Sequence, residues 1–239
     1  MPIGIIVDCL SVIFGGLIGA MLGNKIPQKL KHTLPLIFGL SAMAMGVNSI
    51  IKTNNMSAVI LSAILGTVIG ELLNLEKGME KLGDIFKKLI EKIFLKNSFD
   101  MDNSEFSSQF VVVMILLCTG STGIFGAMHS AMTGNHSILL SKSVLDFFTA
   151  IIFATSLSYV VVVVSIPQFF VLMLMYKLAT FIIPLTTPLM LADFSGIGGL
   201  LLLATGLRVS GIKSFSVTNM LPAMVVVMPL SCFFKIIFG

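Results

Sequence analysis

Apolar runs of about twenty residues recur along almost the whole chain, and they constrain its fold more than any other feature. A run of this length matches an α-helix that crosses a bilayer, whereas a transmembrane β-strand alternates in polarity over about ten residues. Only 11% of the residues are charged, against about 25% in a soluble domain, and the mean hydropathy is +1.04. The sequence therefore predicts an all-α, polytopic helical membrane protein.

Eight membrane-spanning segments are predicted within a single integral membrane domain, residues 1–239. Their approximate bounds are 3–23, 34–51, 57–75, 109–128, 142–164, 168–190, 195–207 and 217–237. The first three segments form an N-terminal part (1–75), and the last five form a C-terminal part (109–239).

Glycine, proline and hydroxyl residues predict where these segments begin or break. Pro35 is placed at the start of the second segment, where its missing N–H costs little. The fourth segment is predicted to break at Thr119–Gly123, because glycine and hydroxyl side chains weaken a helix. The sixth segment is predicted to break at Pro184 or Pro188.

The stretch between the two parts, residues 76–108, is polar and differs from the rest of the chain. In residues 76–96, apolar side chains recur at spacings of three and four, and lysines alternate with acidic residues. This pattern predicts an amphipathic helix on the cytoplasmic face of the membrane. With both termini outside, eleven of the fifteen Lys and Arg residues fall on the cytoplasmic side, as the positive-inside rule requires.

One polar stretch, Thr119–Asp146, lies between two long apolar runs and holds the candidate binding residues. Polar atoms at membrane depth are costly, and they usually mark a site. Lys142 and Asp146 are four residues apart on one helix face and can pair. The predicted substrate-binding residues are Thr119, Gly120, Ser121, Thr122, Gly123, His129, His136, Lys142 and Asp146. Asp146 is the predicted coupling residue.

Other kinds of site are less well supported by the sequence. His129, His136, Asp146 and Asp193 could together bind a metal, but their spacing is not that of a metal motif. No nucleophile–base motif, phosphate loop or dinucleotide fingerprint is present, so we predict neither an enzyme nor a cofactor. Three separated cysteines give no disulfide framework.

The chain resembles a bacterial membrane family, the YdfK/YqgA-type proteins, which are grouped as a domain of unknown function. The matching residues include Gly120-Ser121, Gly126-Ala127, Thr133–Ser137, Leu140, Lys142–Asp146, Gly15–Gly19, Leu34-Pro35 and Phe38–Leu40. The resemblance implies a multi-pass protein of the bacterial inner (plasma) membrane. Members are labelled at most as candidate transport proteins. Asp8 and Lys177 depart from the family pattern, which makes both weaker site candidates.

Two classes of function fit these observations. The first is a secondary transporter or channel-like carrier of a small polar solute or ion, with its site at the broken fourth segment and a polar vestibule on the outer side. The second is a non-transporting membrane scaffold or sensor that acts through the basic amphipathic helix. The predicted partners are the lipid bilayer and the solute, not nucleic acid, because the net charge of +4 arises from cytoplasmic loops. Glycine-rich helix faces could also join copies of the chain into a homo-oligomer.

Overall fold

The computed structural model describes residues 2–23, 27–78, 81, 110, 113–114, 117–118 and 121–238. Regular structure within these ranges is entirely helical, as predicted. The helices are α1 (Ile3–Leu22), α2 (Gln28–Ile50), α3 (Met56–Leu73), α4 (Ser121–Thr133), α5 (Ser137–Leu157), the short α6 (Val160–Val163), α7 (Ser165–Ile182), α8 (Pro188–Val209) and α9 (Ala223–Phe238). Two 3₁₀ turns, Ile183–Leu185 and Val217–Met220, precede α8 and α9.

Seven helical stretches of the described chain are long and apolar enough to cross a membrane. They correspond to seven of the eight predicted segments. The remaining predicted segment, 109–128, is described only in part: residues 110, 113–114 and 117–118 are helical, and α4 begins at Ser121. The polytopic helical fold predicted from hydropathy is therefore confirmed.

Helices α1 and α5 run parallel and in very close contact. A Cβ placed on Gly15 would lie 2.3 Å from the carbonyl oxygen of Phe147, and one on Gly19 would lie 2.3 Å from that of Ile151. Both contacts advance along the two helices in the same direction. Bare glycine faces allow such close approach, which favours helix association in a bilayer.

Two other helix pairs are antiparallel and are also held by glycines. Along α2 and α8, Gly39 meets Gly206 and Gly46 meets Gly199, so one number rises as the other falls. Helix α3 shows the same order against the start of α9 and the 3₁₀ turn before it, because Gly66 meets Ala223 and Gly70 meets Asn219. Gly15, Gly19, Gly66 and Gly70, which the sequence offers for association, thus pack against helices of their own chain.

These directions support eight crossings of the membrane. If α1, α2 and α3 cross in alternating directions, then α3 and α5 both run in the direction of α1. A single crossing between them, which the predicted fourth segment would supply, satisfies this requirement. Helices α7, α8 and α9 bring the number of crossings to eight. Because this number is even, both termini lie on the same side of the membrane.

Several boundaries differ from the predictions, and three of them involve prolines or the helix that follows them. Helix α2 begins seven residues before Pro35, which therefore lies inside the helix rather than at its start. Proline is tolerated inside membrane helices because surrounding groups can satisfy the freed carbonyl. Pro184 lies in a 3₁₀ turn after α7, and Pro188 is the first residue of α8, so these prolines separate two spans rather than break one. Helix α8 is accordingly longer than the predicted 195–207.

The predicted break in the fourth segment lies partly outside the described residues, which do not include Thr119 and Gly120. Ser121, Thr122 and Gly123 belong to α4 and are helical. The loop after α4 is short, and Gly134 turns the chain there with a φ of 71°, a left-handed conformation that favours glycine.

The start of the predicted amphipathic helix is fixed to the bundle. The backbone N–H of Glu76 donates to Oδ1 of Asn219 at 2.8 Å, and Nη1 of Arg208 pairs with Oε1 of Glu76 at 2.6 Å. Glu76 and Arg208 therefore lie at the same end of the bundle, as the predicted topology requires. Most of the stretch 76–96 lies outside the described residues.

Single-cysteine labelling tests the topology. In a variant lacking the three native cysteines, Thr133→Cys should react with an impermeant maleimide added to intact cells, because the α4–α5 loop is predicted to lie outside. Ser214→Cys, in the exposed loop after α8, should react only after the cells are opened. Labelling of Ser214→Cys but not Thr133→Cys in intact cells would reverse the orientation.

Substitution of the packed glycines tests the helix contacts. Gly15→Ala should lower stability by about 1–3 kcal/mol, because the added methyl group meets backbone that cannot move independently. Gly78→Ala is the matched control, since nothing lies within 4 Å of its Cβ position. The thermal midpoint of unfolding in detergent measures both variants, and equal midpoints would contradict the close packing of α1 on α5.

Candidate functional site

Four polar side chains meet in the bundle interior: Asp8 of α1, Lys142 and Asp146 of α5, and Gln168 of α7. Their exposed fractions are 0%, 3%, 7% and 0%, respectively. We call this group the buried polar ring. It contains two of the predicted site residues, Lys142 and Asp146, and the predicted pairing between them is confirmed.

The helices position the ring in simple ways. Lys142 and Asp146 are one turn apart on α5, so they share one face of that helix. The glycine contacts of α1 bring its backbone against α5 and place Asp8 beside Lys142. Gln168 lies in the first turn of α7, which also packs against α1.

Hydrogen bonds close the ring. The Lys142 ammonium donates to Oδ2 of Asp8 at 2.9 Å and also to Oδ2 of Asp146. The Gln168 amide nitrogen donates to the same two oxygens, at 2.8 Å from that of Asp8 and 2.9 Å from that of Asp146. Two carboxylate oxygens thus share two nitrogen donors, one charged and one neutral.

The charges in the ring do not balance. With both carboxyl groups ionised, Asp8 and Asp146 carry two negative charges and Lys142 carries one positive charge. Among the described residues, no second lysine or arginine forms an ion pair with either carboxylate. A charge at membrane depth costs about 2.5–3.5 kcal/mol on insertion scales, so the unbalanced charge is expensive.

Two oxygen atoms of the ring also lack hydrogen-bond partners. They are Oδ1 of Asp8 and Oε1 of Gln168, and both are fully buried. Because buried polar atoms are nearly always hydrogen-bonded, each such atom calls for an explanation.

A polar cavity of about 120 Å³ lies between α2, α4, α5 and α8. It is lined by Met45, Asn48, Ser49, Lys52, His129, Ser137, Ile138, Ser141 and Ser195. Its lining residues lie near the C-terminal ends of α2 and α4 and the N-terminal ends of α5 and α8, which the predicted topology places on the outer side. Ser141 is adjacent in sequence to Lys142, although the two side chains project from different faces of α5.

The two predicted histidines are near this outer end and not in the ring. His129 lines the cavity, and its Nδ1 lies 3.3 Å from the hydroxyl oxygen of Thr133. Nδ1 of His136 hydrogen-bonds with the hydroxyl of Ser130. Each histidine therefore has a local hydroxyl partner within or next to α4.

The predicted residues of the fourth segment are placed as follows. Thr119 and Gly120 lie outside the described residues. Thr122 is buried, and Ser121 is the first residue of α4. Gly123 packs against the stem of Lys142, because a Cβ placed there would lie 2.9 Å from Cε of Lys142. Helix α4 thus contacts the ring through this one predicted glycine.

Asp193 has a different environment from the ring. It is fully buried in α8, and its Oδ1 accepts from the backbone N–H groups of Asn54 and Asn55 at 2.9 and 2.6 Å. Its Oδ2 accepts from the Ser231 hydroxyl at 2.6 Å. Asp193 therefore ties the α2–α3 turn to α8 and α9. Within the described part of the chain, no group of His, Cys, Asp and Glu residues could hold a metal ion.

A second cavity, of about 320 Å³, is apolar and does not suit a polar solute. It is lined by Met128, Met132, Ile182, Leu185, Thr186, Met190, Met224, Val225, Met228 and Pro229. Methionine side chains commonly fill irregular space of this kind.

Sequence reasoning missed half of the ring. From the sequence alone, Asp8 is among the weaker candidates, and Gln168 is only the first residue of a predicted span. Both are polar residues in otherwise apolar stretches, and that was the available signal. Their meeting with Lys142 depends on the parallel packing of α1 on α5, which the sequence pattern does not reveal.

A helical bundle with several apolar spans and ionisable side chains buried between them defines a polytopic integral membrane protein. The chain belongs to the family described as "Protein of unknown function (DUF554)", whose model matches residues 3–232. The family expected from the sequence is thus confirmed.

Two curated relatives cover nearly the whole chain. The chain is 44% identical over 231 residues to the uncharacterized protein YqgA of Escherichia coli strain K12, covering 97% of each protein. It is 25% identical over 227 residues to the uncharacterized membrane protein YdfK of Bacillus subtilis strain 168, covering 93% of each. No solved structure matches the chain significantly.

The charge imbalance predicts an asymmetry between substitutions in the ring. Asp146→Asn leaves Lys142 and Asp8 as a one-to-one pair and should cost little stability. Lys142→Met leaves two buried carboxyl groups without a cation and should cost about 3–5 kcal/mol. Lys177→Met, at an exposed lysine of α7, is the matched control and should leave stability unchanged. Denaturation in detergent measures all three, and an equal loss for Asp146→Asn and Lys142→Met would contradict the imbalance.

Proposed function

We propose that this protein is a secondary transporter, or channel-like carrier, of a small polar solute or ion in the inner membrane of a bacterium. The observation that carries the proposal is the buried polar ring, in which Asp8, Lys142 and Asp146 are all less than a tenth exposed. Ionisable groups within membrane-spanning segments are rare, and they mark ion pathways and proton relays in transporters.

The composition of the ring favours transport over a purely structural role. Buried ion pairs contribute little net stability, and apolar residues of similar volume can often replace them. A ring with one more carboxyl group than lysine is also a poor structural device, because it needs a further positive charge to be neutral. In a transporter, a bound cation can supply this positive charge, and its binding and release can accompany movement of the solute.

The surroundings of the ring supply a candidate route from the outer side. The polar cavity offers Lys52, His129 and several hydroxyl groups at the outer end of the bundle. Gly123 brings α4 against Lys142, so groups of the predicted stretch Thr119–Gly123 are candidates to line the solute site. In this proposal His129 and His136 belong to the access path, and Asp146 is the coupling residue that Lys142 holds ionised.

Proteoliposomes test the proposal. Proton flux is followed with a trapped pH-sensitive dye, and uptake is measured for amino acids, sugars and monovalent cations added one at a time. Wild-type protein should carry one of these probes in response to an imposed ion gradient or membrane potential. Asp146→Asn should abolish the coupled flux while the protein stays folded and inserted. Glu71→Gln removes an exposed carboxyl group of α3 and should transport normally.

A double substitution separates coupling from structure. Lys142→Ala with Asp146→Ala removes the intrahelical pair and leaves Asp8 and Gln168 in place. If this double variant is as stable as wild type and transports normally, Asp146 is not the coupling residue. Absence of flux for every probe with wild-type protein would reject the carrier function.

A further inference from the structure

We infer that the buried polar ring holds one exchangeable proton, carried by Asp8 on Oδ1 and donated to Oε1 of Gln168. The carboxylic acid and the amide then form a reciprocal pair, in which each group donates one hydrogen bond to the other. The inference concerns the same site as the proposed function and rests on it in one respect: Asp146, the proposed coupling residue, is ionised in the resting ring, and the proton lies on Asp8.

The first observation behind the inference is that two buried oxygens, Oδ1 of Asp8 and Oε1 of Gln168, have no hydrogen-bond partner. Gln168 already donates its amide N–H to Oδ2 of Asp8 at 2.8 Å, so the amide and carboxyl groups are adjacent. The oxygens left without partners, Oδ1 of Asp8 and Oε1 of Gln168, belong to these same two groups. Both are acceptors when Asp8 is ionised, and neither can satisfy the other. In the proposed arrangement, one proton on Oδ1 converts this acceptor into a donor to Oε1 of Gln168, so that both atoms gain a partner.

The charge of the ring carries the second part. Asp8, Asp146 and Lys142 together have a charge of −1 when all three are ionised, and one added proton makes the ring neutral. Neutrality removes the main cost of burying the group in a membrane. Charge balance and hydrogen bonding are thus both satisfied by the same single proton.

A proton also fits the available ligands better than a metal ion. Hard cations need several oxygen ligands; calcium, for example, takes about 6–8. The ring offers two unpartnered buried oxygens, while Oδ2 of Asp8 and Oδ2 of Asp146 each accept two hydrogen bonds already. A divalent ion would moreover overcompensate a charge of −1.

The groups around Asp8 leave Gln168 as the partner for the proton. The ionisable groups of α5 are Lys142 and Asp146. Their contacts within the ring involve the Lys142 ammonium and the Oδ2 atoms of Asp8 and Asp146, and not Oδ1 of Asp8. The other titratable side chain of α1 is the buried thiol of Cys9, next to Asp8 in sequence, and Cys118 before α4 is a second buried thiol. Helix α6, which also contacts α1, consists of four valines and offers no titratable side chain.

Site-specific NMR of the reconstituted full-length protein tests the inference without any transport assay. Val7–Asp8 and Leu145–Asp146 are the only Val–Asp and Leu–Asp pairs in the sequence, so selective labelling assigns each aspartate. At neutral pH, the side-chain carboxyl carbon of Asp8 should show the chemical shift of a protonated acid, and that of Asp146 the shift of a carboxylate. Two carboxylate shifts, or a protonated Asp146 with an ionised Asp8, would overturn the inference.

Substitution of Asp8 gives a second test with a conservative rescue. Asp8→Asn reproduces the neutral acid, because its amide can both donate to Gln168 and accept from it. Its thermal midpoint should equal or exceed that of wild type and should vary less with pH. Asp8→Leu removes the reciprocal pair and should lower the midpoint. Equal midpoints for Asp8→Asn and Asp8→Leu, or a wild-type midpoint that rises with sodium chloride but not with potassium chloride, would contradict a bound proton.

The two proposals can fail separately. A protonated Asp8 in a protein that carries none of the probes would leave the proton site in place and reject transport. Flux that depends on Asp146 with an ionised Asp8 would retain the carrier function and reject the proton on Asp8.

Discussion

The interaction on which this bundle depends is the contact of the Lys142 ammonium with two carboxylates, Asp8 and Asp146. It joins α1 to α5 in the bundle interior, where all three groups are buried. The Gln168 amide adds α7 to the same point, so three spans share one polar centre. Separation of these helices in the bilayer would expose charges to lipid, at a cost of several kcal/mol for each charge.

Close packing at glycines brings the Asp8 carboxylate within reach of Lys142. Lipid gives little hydrophobic drive for helices to associate, so contact area and backbone approach determine which helices pair. Gly15 and Gly19 let the backbones of α1 and α5 touch, and Asp8 lies two turns from Gly15 on the same helix. A wider spacing between the helices would leave the Asp8 carboxylate short of Lys142. Packing and electrostatics therefore depend on each other here.

How much of the fold and the site could be predicted depends on how far apart in the sequence the interacting residues are. The existence of apolar spans follows from local hydropathy, and the Lys142–Asp146 pair follows from helical spacing, so both are predicted from the sequence, whereas several span boundaries are not. Asp8 and Gln168 are separated by 160 residues, and their hydrogen bond depends on the order in which helices pack. Hydropathy carries no information on that order. Pro35 was misplaced for a related reason, because polar residues before it extend α2 beyond its apolar part.

The two fully buried aspartates provide an internal comparison that bears on function. Asp193 needs no cation, because two backbone N–H groups and a hydroxyl satisfy both of its oxygens. Asp8 lies beside a lysine, yet one of its oxygens has no partner. The same fold thus satisfies one buried carboxylate completely and leaves an oxygen of the other without a partner. A carboxylate with a purely structural role is expected to resemble Asp193, and this contrast supports the proposal that Asp8 and its ring bind an ion.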